Sequence, residues 1–329
     1  MKPFTPAIQT LYQDLVQQVH DTIERAGSVY TRTIGGAEYA YAKQMIGTSR
    51  EDVFLGRADS PDVQHRMERI RQEAASARQR RKIVVALKAA GVPAPTSALG
   101  AVLDAMAGSG LLHQAVVVGT AAYQCFPPIV GAALPSAALM TQDADLATAS
   151  LAISADEGDQ TMESILKRAD KTFAPLQGLD PRTPPASFRS ASGFMVDLLT
   201  PQLRRSDPNP MPLAGLKAGA VPLQHLRWLI ETPVLAAALH GSGVALRVPS
   251  PARFAIHKLI VAQKRAGDRS KRTKDLQQAK ALIEVLQASD PFALSDAYEM
   301  ACAQREAGWK VPIQRSLHEL GTEASALLA

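Results

Sequence analysis

Cysteine is scarce in this chain, which has 329 residues and two cysteines. Cys125 and Cys302 are far apart in sequence, and neither stands in the spacing of a metal-binding or redox motif. This spacing argues against a cysteine-based metal site. The pattern favours buried free thiols that take no part in the chemistry.

Long apolar segments are also missing. No apolar run reaches the roughly 18 to 20 residues that a membrane-spanning helix requires. The N-terminal sequence MKPFTPAIQTLYQDL has no sustained apolar core, so it does not predict a secretory signal. Apolar residues make up 46% and charged residues 20% of the chain, which indicates neither disorder nor a membrane protein. We therefore expect a cytoplasmic protein of two domains, or of one domain with appendages.

Positive charge is unevenly distributed. Lysine and arginine exceed the acids by 36 − 31 = +5, and the pI is about 9.2. Residues 251–280 contain nine lysines and arginines against Asp268 and Asp275, a local balance of 9 − 2 = +7. That segment is predicted to bind phosphates. The run from Arg78 to Lys82 belongs to a long polar helix, and a solvated helix face explains it better.

The most informative stretch is residues 115–147. A short β-branched run ends at Gly119, which indicates a buried strand. Thr120 is predicted to cap the next helix, whose free N–H groups suit an anion such as a phosphate. Asp143 and Asp145 then stand two residues apart, and on a strand such residues share a face. Two carboxylates on one face repel each other, so the spacing indicates a divalent cation such as Mg²⁺.

A third carboxylate is predicted in residues 193–200, where Asp197 interrupts an apolar strand-like run. An acid there is costly to bury unless it is paired or bound to a metal. Asp197 is therefore a candidate metal ligand, and an ion pair with Arg189 or Arg204 is the alternative. Lys258 is either a ligand contact or a solvated helix lysine, and His257 is expected to be structural.

The remaining periodicity predicts further strands and helices. A hairpin is expected over residues 28–49, turning at Gly35 and Gly36, and another pair of strands over 233–239 and 243–248. Helices are expected over 7–26, 61–90, 96–107, 158–174, 251–266, 273–288, 293–307 and 312–328. The first hairpin carries Tyr30, Arg32, Tyr39, Tyr41 and Lys43, which suit either nucleic-acid contact or an ordinary half-buried ribbon.

The set Gly119-Thr120, Asp143-Ala-Asp145 and Asp197 resembles the nucleotidyltransferase fold of the DNA polymerase β superfamily. Three sequence segments are similar to those of a largely uncharacterised bacterial group with that fold: VVVGTAAYQCF, TQDADLA and GFMVDLLTP. This similarity covers roughly residues 95–288. AbiEii-type toxin nucleotidyltransferases are more distantly similar. Two departures stand out: the step from Gly119 to Asp143 is long, and Gln278 stands where the toxin pattern has a second acid after Asp275.

The resemblance implies an α+β fold with a nucleotidyltransferase-type mixed sheet and flanking helices. The proline pairs Pro93-Ala-Pro95 and Pro249-Ser-Pro251 mark boundaries, which give an N-terminal helix and hairpin region over 1–95, a nucleotidyltransferase core over 96–250 and a C-terminal helical domain over 251–329. The implied function is transfer of a nucleoside monophosphate from an NTP to an acceptor hydroxyl on RNA, tRNA or a small molecule. A non-catalytic nucleic-acid-binding protein and the toxin of a toxin–antitoxin or phage-defence system are the alternatives.

The resemblance also implies roles for individual residues. Asp143, Asp145 and Asp197 would be the catalytic carboxylates and would hold magnesium or manganese. The nucleotide would be bound by Gly119, Thr120, Thr141, Lys258 and Lys274.

Overall fold

The computed structural model describes residues 2–135, 160–178, 182–204, 206–207, 209–265, 267, 269–304 and 308–322, together with the backbone of 143–148. The α+β class is confirmed: helices flank a curled mixed sheet. Within the described residues, no helix is both long and apolar enough to cross a membrane.

The N-terminal region combines two helices with a three-stranded antiparallel sheet. Its elements are α1 (Pro6–His20), β1 (Gly27–Ile34), β2 (Ala37–Ile46), β3 (Ser49–Arg57) and α2 (Pro61–Ala89). The predicted hairpin turn is confirmed, since Gly35 and Gly36 adopt φ of +61° and +83°. One side of the sheet packs its small and apolar residues on the first half of α2, and together they form a separate apolar cluster.

Two expectations for this region are wrong. The first helix ends at His20 and not at Gly27, because Ile23 is 87% exposed and no apolar contact extends the helix. Strand β3 was not predicted. It forms because Leu55 joins Ala40 and Ala42 in the cluster against α2, which a two-stranded hairpin would leave incomplete.

The central sheet has the strand order β4-β5-β8-β10-β9, with β7 also paired to β8 and β6 paired to β7. Its elements follow in chain order, with short helices between the strands: α3 (Ser97–Gly108), α4 (Leu111–Gln114), β4 (Ala115–Val118), α5 (Gly119–Tyr123), α6 (Phe126–Val130), β5 (Asp143–Thr148), α7 (Met162–Lys167), β6 (Ala174–Pro175), β7 (Ser187–Arg189), β8 (Met195–Pro201), β9 (Met211–Leu213), β10 (Ala218–Leu223) and α8 (Leu226–Ile230).

The strands expected around 115–118, 143–145 and 193–200 are confirmed, and so is the helix after Thr96, whose hydroxyl accepts a hydrogen bond from the Leu99 amide. Of the helix expected over 158–174, the described residues 160–174 contain only the helix α7, and residues 158 and 159 lie outside the described part of the chain. The segment 126–130 is helical even though it contains two prolines, because they occupy the first turn, where no amide donor is needed. Strands β9 and β10 were missed.

The C-terminal part begins with the hairpin β11 (Pro233–Ala238) and β12 (Val244–Pro249), as expected. Four helices follow: α9 (Pro251–Lys264), α10 (Arg269–Ser289), α11 (Pro291–Cys302) and α12 (Lys310–Glu319). The main apolar core extends from α3 through the central sheet to these helices. A second cluster joins α1 and the end of α2 to the β11–β12 hairpin, where the Tyr12 hydroxyl bonds the Ala237 backbone.

The cysteines are free. Cys125 is buried, and burial raises the pKa of its thiol to about 12, so it is inert as a nucleophile. Cys302 is partly exposed, which differs from the expectation that both thiols are buried.

Candidate active site

The connection from β4 to α5 requires a glycine. Gly119 follows four buried strand residues and adopts φ of +67°, a left-handed conformation that other residues adopt only with strain. Thr120 is not the helix cap that the sequence predicts. It is the second residue of α5, the capping position falls on Val118, and α5 has no side-chain cap. The Gly-Thr pair is thus a tight strand-to-helix turn.

Backbone pairing places the strands that carry the predicted carboxylates side by side. Strand β5 pairs antiparallel with β4, where Val118 is the partner of Asp145. On its other edge β5 pairs parallel with β8, where Asp145 is the partner of Asp197. Three segments that are far apart in sequence therefore meet at one row of the sheet: the end of β4 before Gly119, Asp145 and Asp197.

Asp197 is half-buried, and its partner is a hydroxyl. The Ser187 Oγ donates a hydrogen bond to Asp197 Oδ1 at 2.6 Å, across the β7–β8 pairing in which the two residues are in register. Within the described part of the chain, Asp197 makes no ion pair with Arg189 or Arg204, so that alternative is not supported. Ser187 was missed because only strand pairing brings it beside Asp197.

Thr141 and the side chains of Asp143 and Asp145 lie outside the described residues. Among the side chains that are described, no group of three or more His, Cys, Asp or Glu residues could hold a metal ion. Of the three predicted metal ligands, Asp197 is the one whose side chain belongs to the described residues. The hydrogen bond from Ser187 uses Oδ1 of this carboxylate and does not involve Oδ2. A carboxylate oxygen is a suitable Mg²⁺ ligand.

Lys258 belongs to a buried charge network on the helices after the sheet. Its Nζ lies 2.5 Å from Asp275 Oδ1, and Arg265 Nε donates to Asp275 Oδ2 at 2.7 Å. Lys258 is 8% exposed and Asp275 is 3% exposed, so a solvated helix lysine is the wrong description. Two cations share one carboxylate, which leaves the network with a net charge of about +1.

Helix α9 connects this network to the Gly-Thr turn by aromatic packing. Phe254 lies one turn before Lys258, and the lysine Nζ is 5.1 Å from the centre of its ring. The Phe254 ring is 6.1 Å from Tyr123 on α5 and 4.9 Å from Phe126 on α6. All three rings are fully buried. The position of α9 is thus fixed against the helices that directly follow Gly119-Thr120.

The histidines near α9 are held neutral. Burial, with the nearby Lys258 charge second, lowers the pKa of His257 to about 3. Burial and Lys264 lower the pKa of His225 to about 4, and Lys264 Nζ lies 2.6 Å from its Nε2. A base with so low a pKa is weak near neutral pH, which agrees with a structural role for His257.

The basic segment 251–280 is less available to phosphates than its composition suggests. Arg253 is buried and bonds Glu231 and the Trp228 carbonyl. Arg272 lies 2.5 Å from Glu319. Lys274 is a partly exposed residue of α10. The local excess of positive charge is therefore partly offset by acids from elsewhere in the chain.

Comparison with known proteins defines the class. A family model described as "Nucleotidyltransferase" matches residues 97–303, which is more than half of the chain. The chain belongs to this nucleotidyltransferase family. The finer likeness to the DNA polymerase β superfamily and to AbiEii-type toxins stays a prediction.

No curated protein matches the chain. The crystal structure of an antigenic nucleotidyltransferase-like protein from Paracoccidioides brasiliensis aligns with 71% of this chain and 98% of that one, at 17% identity and a TM-score of 0.34. Values this low support no conclusion about function.

Proposed function

We propose that the protein transfers a nucleoside monophosphate from an NTP to an acceptor hydroxyl, with Asp143, Asp145 and Asp197 as the metal-binding carboxylates. The observation that supports this most directly is the backbone register of the sheet. Asp145 pairs on one side with Val118, the last strand residue before Gly119, and on the other side with Asp197. Membership of the nucleotidyltransferase family supports the reaction class and an NTP as substrate. A cytoplasmic location is part of the same proposal.

In this proposal the carboxylates hold magnesium, or manganese in its place. Side chains alternate along a strand, so Asp143 and Asp145 are expected on one face, together with their neighbour Asp197. The metal would neutralise charge on the triphosphate and lower the pKa of the acceptor hydroxyl. The oxygen donors fit a hard cation, and the Ser187 hydrogen bond orients Asp197 while leaving Oδ2 for the metal.

The bond changes are those of phosphoryl transfer. The acceptor oxygen attacks the α-phosphorus, the bond from that phosphorus to the β-phosphate bridge breaks, and pyrophosphate leaves. Asp197 takes the proton of the acceptor hydroxyl. Gly119 and Thr120 bind the β- and γ-phosphates through amide and hydroxyl donors, and Thr141 contributes to nucleotide binding.

Lys258 and Lys274 stabilise the negative charge on the leaving pyrophosphate in this scheme. For Lys258 the support is the charge imbalance of its network: Asp275 offsets only one of the two cations that share it. Lys274 precedes Asp275 on the same helix. The acceptor is RNA, tRNA or a small molecule with a free hydroxyl.

The experiment is nucleotidyl transfer with purified protein, each of the four radiolabelled NTPs, Mg²⁺ and a panel of acceptors. Asp145→Asn keeps the volume of the side chain and removes its charge, so we expect loss of at least 100-fold in transfer. Asp59→Asn, at an exposed turn pair with Arg57, is the matched control. Absence of transfer by the unmodified protein, or equal transfer by the two variants, would reject the proposal.

A further inference from the structure

The three-stranded sheet has two unlike faces. The face toward α2 is made of small and apolar residues, among them Ala40, Ala42 and Leu55. The other face, called here the aromatic face, includes Tyr30, Arg32, Tyr39, Tyr41, Lys43 and Phe54, and it also carries Asp52, the register partner of Lys43. Three of the six tyrosines in the chain lie on this face. Phe54 is 56% exposed, although a solvent-facing strand position normally carries a polar residue.

The rings of the aromatic face form one continuous surface across the three strands. Tyr30 and Tyr41 are register partners, and their rings stack at 5.6 Å with an interplanar angle of 19°. The Tyr41 ring is 5.4 Å from Phe54 on the third strand, and Phe54 is 6.0 Å from Tyr39. The sequence alone indicated three tyrosines on a hairpin; Phe54 joins them only because β3 completes the sheet.

Cations lie directly over these rings. The Arg32 guanidinium is 5.2 Å from the centre of Tyr30 and 5.5 Å from that of Tyr41, and Lys43 Nζ is 5.5 Å from Tyr30. The acid nearest Arg32 is Asp52, at 3.9 Å in an exposed pair, which is a weak interaction. The face therefore combines one exposed ring, Phe54, and three half-buried tyrosine rings with an excess of positive charge, which an apolar protein partner would have to desolvate.

We propose that the aromatic face binds an unpaired segment of RNA. Bases stack on exposed aromatic rings whatever their sequence, and cations beside the rings meet the backbone phosphates. The Tyr30 hydroxyl is buried, but the Tyr39 and Tyr41 hydroxyls can exchange hydrogen bonds with the ribose 2′-hydroxyl, which favours RNA over DNA. Naming this RNA as the acceptor rests on the proposed nucleotidyl transfer; the binding itself does not.

The sheet is fixed to the matched family domain, so RNA on it would be held at a set position relative to that domain. The Gly47 amide donates to Asp104 on α3 at 2.7 Å, and Thr48 bonds the carbonyls of Arg168 and Ala169 after α7. Arg168 also pairs with Glu51 on β3 at 2.9 Å. These contacts all lie at the β2–β3 end of the sheet.

The test measures binding of an unstructured oligoribonucleotide of about twelve nucleotides to the full chain. The oligonucleotide carries fluorescein, and its fluorescence anisotropy reports the bound fraction. We expect Phe54→Ala to weaken binding roughly 5- to 100-fold, the range for loss of one stacked base. The matched control is Phe292→Ala, since Phe292 is 76% exposed on α11 and should be neutral. Arg32→Gln should weaken binding and reduce its salt dependence, whereas Arg81→Gln on α2 should not.

Several outcomes would overturn the proposal. These are no binding at low salt, equal affinities for Phe54→Ala and Phe292→Ala, DNA of the same sequence binding more tightly than RNA, or a change of oligomeric state by sedimentation in Phe54→Ala without a change in RNA affinity. Unchanged circular dichroism confirms that the variants are folded. RNA binding by Asp145→Asn is expected to equal that of the unmodified protein, so failure of catalysis and failure of RNA binding are distinguished.

Discussion

Removing the negative charge of Asp275 is predicted to destabilise the folded protein strongly. Asp275 is 3% exposed and is the shared partner of Lys258 and Arg265 at 2.5 and 2.7 Å. Asp275→Asn leaves Lys258 as a buried cation without its counter-charge, while Arg265, at 33% side-chain exposure, can turn to solvent. Breaking such a buried pair costs about 3–5 kcal/mol of unfolding free energy.

The assay is urea unfolding followed by circular dichroism, supported by thermal melting. At about 2 °C per kcal/mol for a chain of this size, the loss corresponds to a decrease of roughly 5–10 °C in Tm. The double variant Lys258→Met, Asp275→Leu removes both buried charges and should recover to within about 1.5 kcal/mol of the unmodified protein. Because Lys258 is proposed to act on the pyrophosphate, the double variant should remain impaired in transfer.

The matched control is the exposed pair Lys280–Glu284, whose atoms are 3.8 Å apart with half of each side chain exposed. Glu284→Gln should cost less than about 0.5 kcal/mol. If Asp275→Asn costs no more than Glu284→Gln, the pair is not the buried charge described here. If the double variant is as unstable as the single one, the desolvation reasoning is wrong.

Three further predictions concern the Gly119 turn, Ser187 and the two histidines near α9. Gly119→Ala should cost about 1–2 kcal/mol in urea unfolding, because φ of +67° strains any side chain. Ser187→Ala should lower transfer about 10-fold and raise the Mg²⁺ concentration that gives half-maximal activity, because Asp197 loses its orienting hydrogen bond. His225 and His257 have folded pKa values of about 4 and about 3, below the ordinary 6.5, so unfolding binds protons. Stability should therefore be fully present above pH 6.5 and fall as the pH drops toward 4, by up to about 3 kcal/mol for each histidine.

Each of these has its own control. Gly178→Ala, where added Cβ meets open space and φ is not left-handed, should be nearly neutral, and an equal cost would contradict the strain at Gly119. Ser76→Ala on an exposed helix turn should leave the Mg²⁺ dependence unchanged. His257→Gln should flatten the acid limb of the stability curve; an unchanged limb would show that burial of the imidazole is not its cause.

The local pattern of residues determined most of the individual elements. Alternation and β-branching marked the strands at 115–118 and 193–200, and Thr96, Gly35 and Gly36 marked helix and turn boundaries, because caps and tight turns depend on a few neighbouring residues. The strand positions of Asp145 and Asp197 were fixed in the same way. Membership of the nucleotidyltransferase family agrees with the general class that the motifs indicated, over nearly the same residues.

The tertiary structure determined which residues contact each other. Asp197 accepts from Ser187 because β7 pairs beside β8, and Lys258 is a buried counter-ion of Asp275 because α9 packs on α10. Strand β3 places Phe54 among the tyrosines. Such pairings connect residues that are distant in sequence, and their energy depends on burial and register. A one-dimensional pattern of residue types contains neither, so the sequence determined which groups are present and the fold determined what each one contacts.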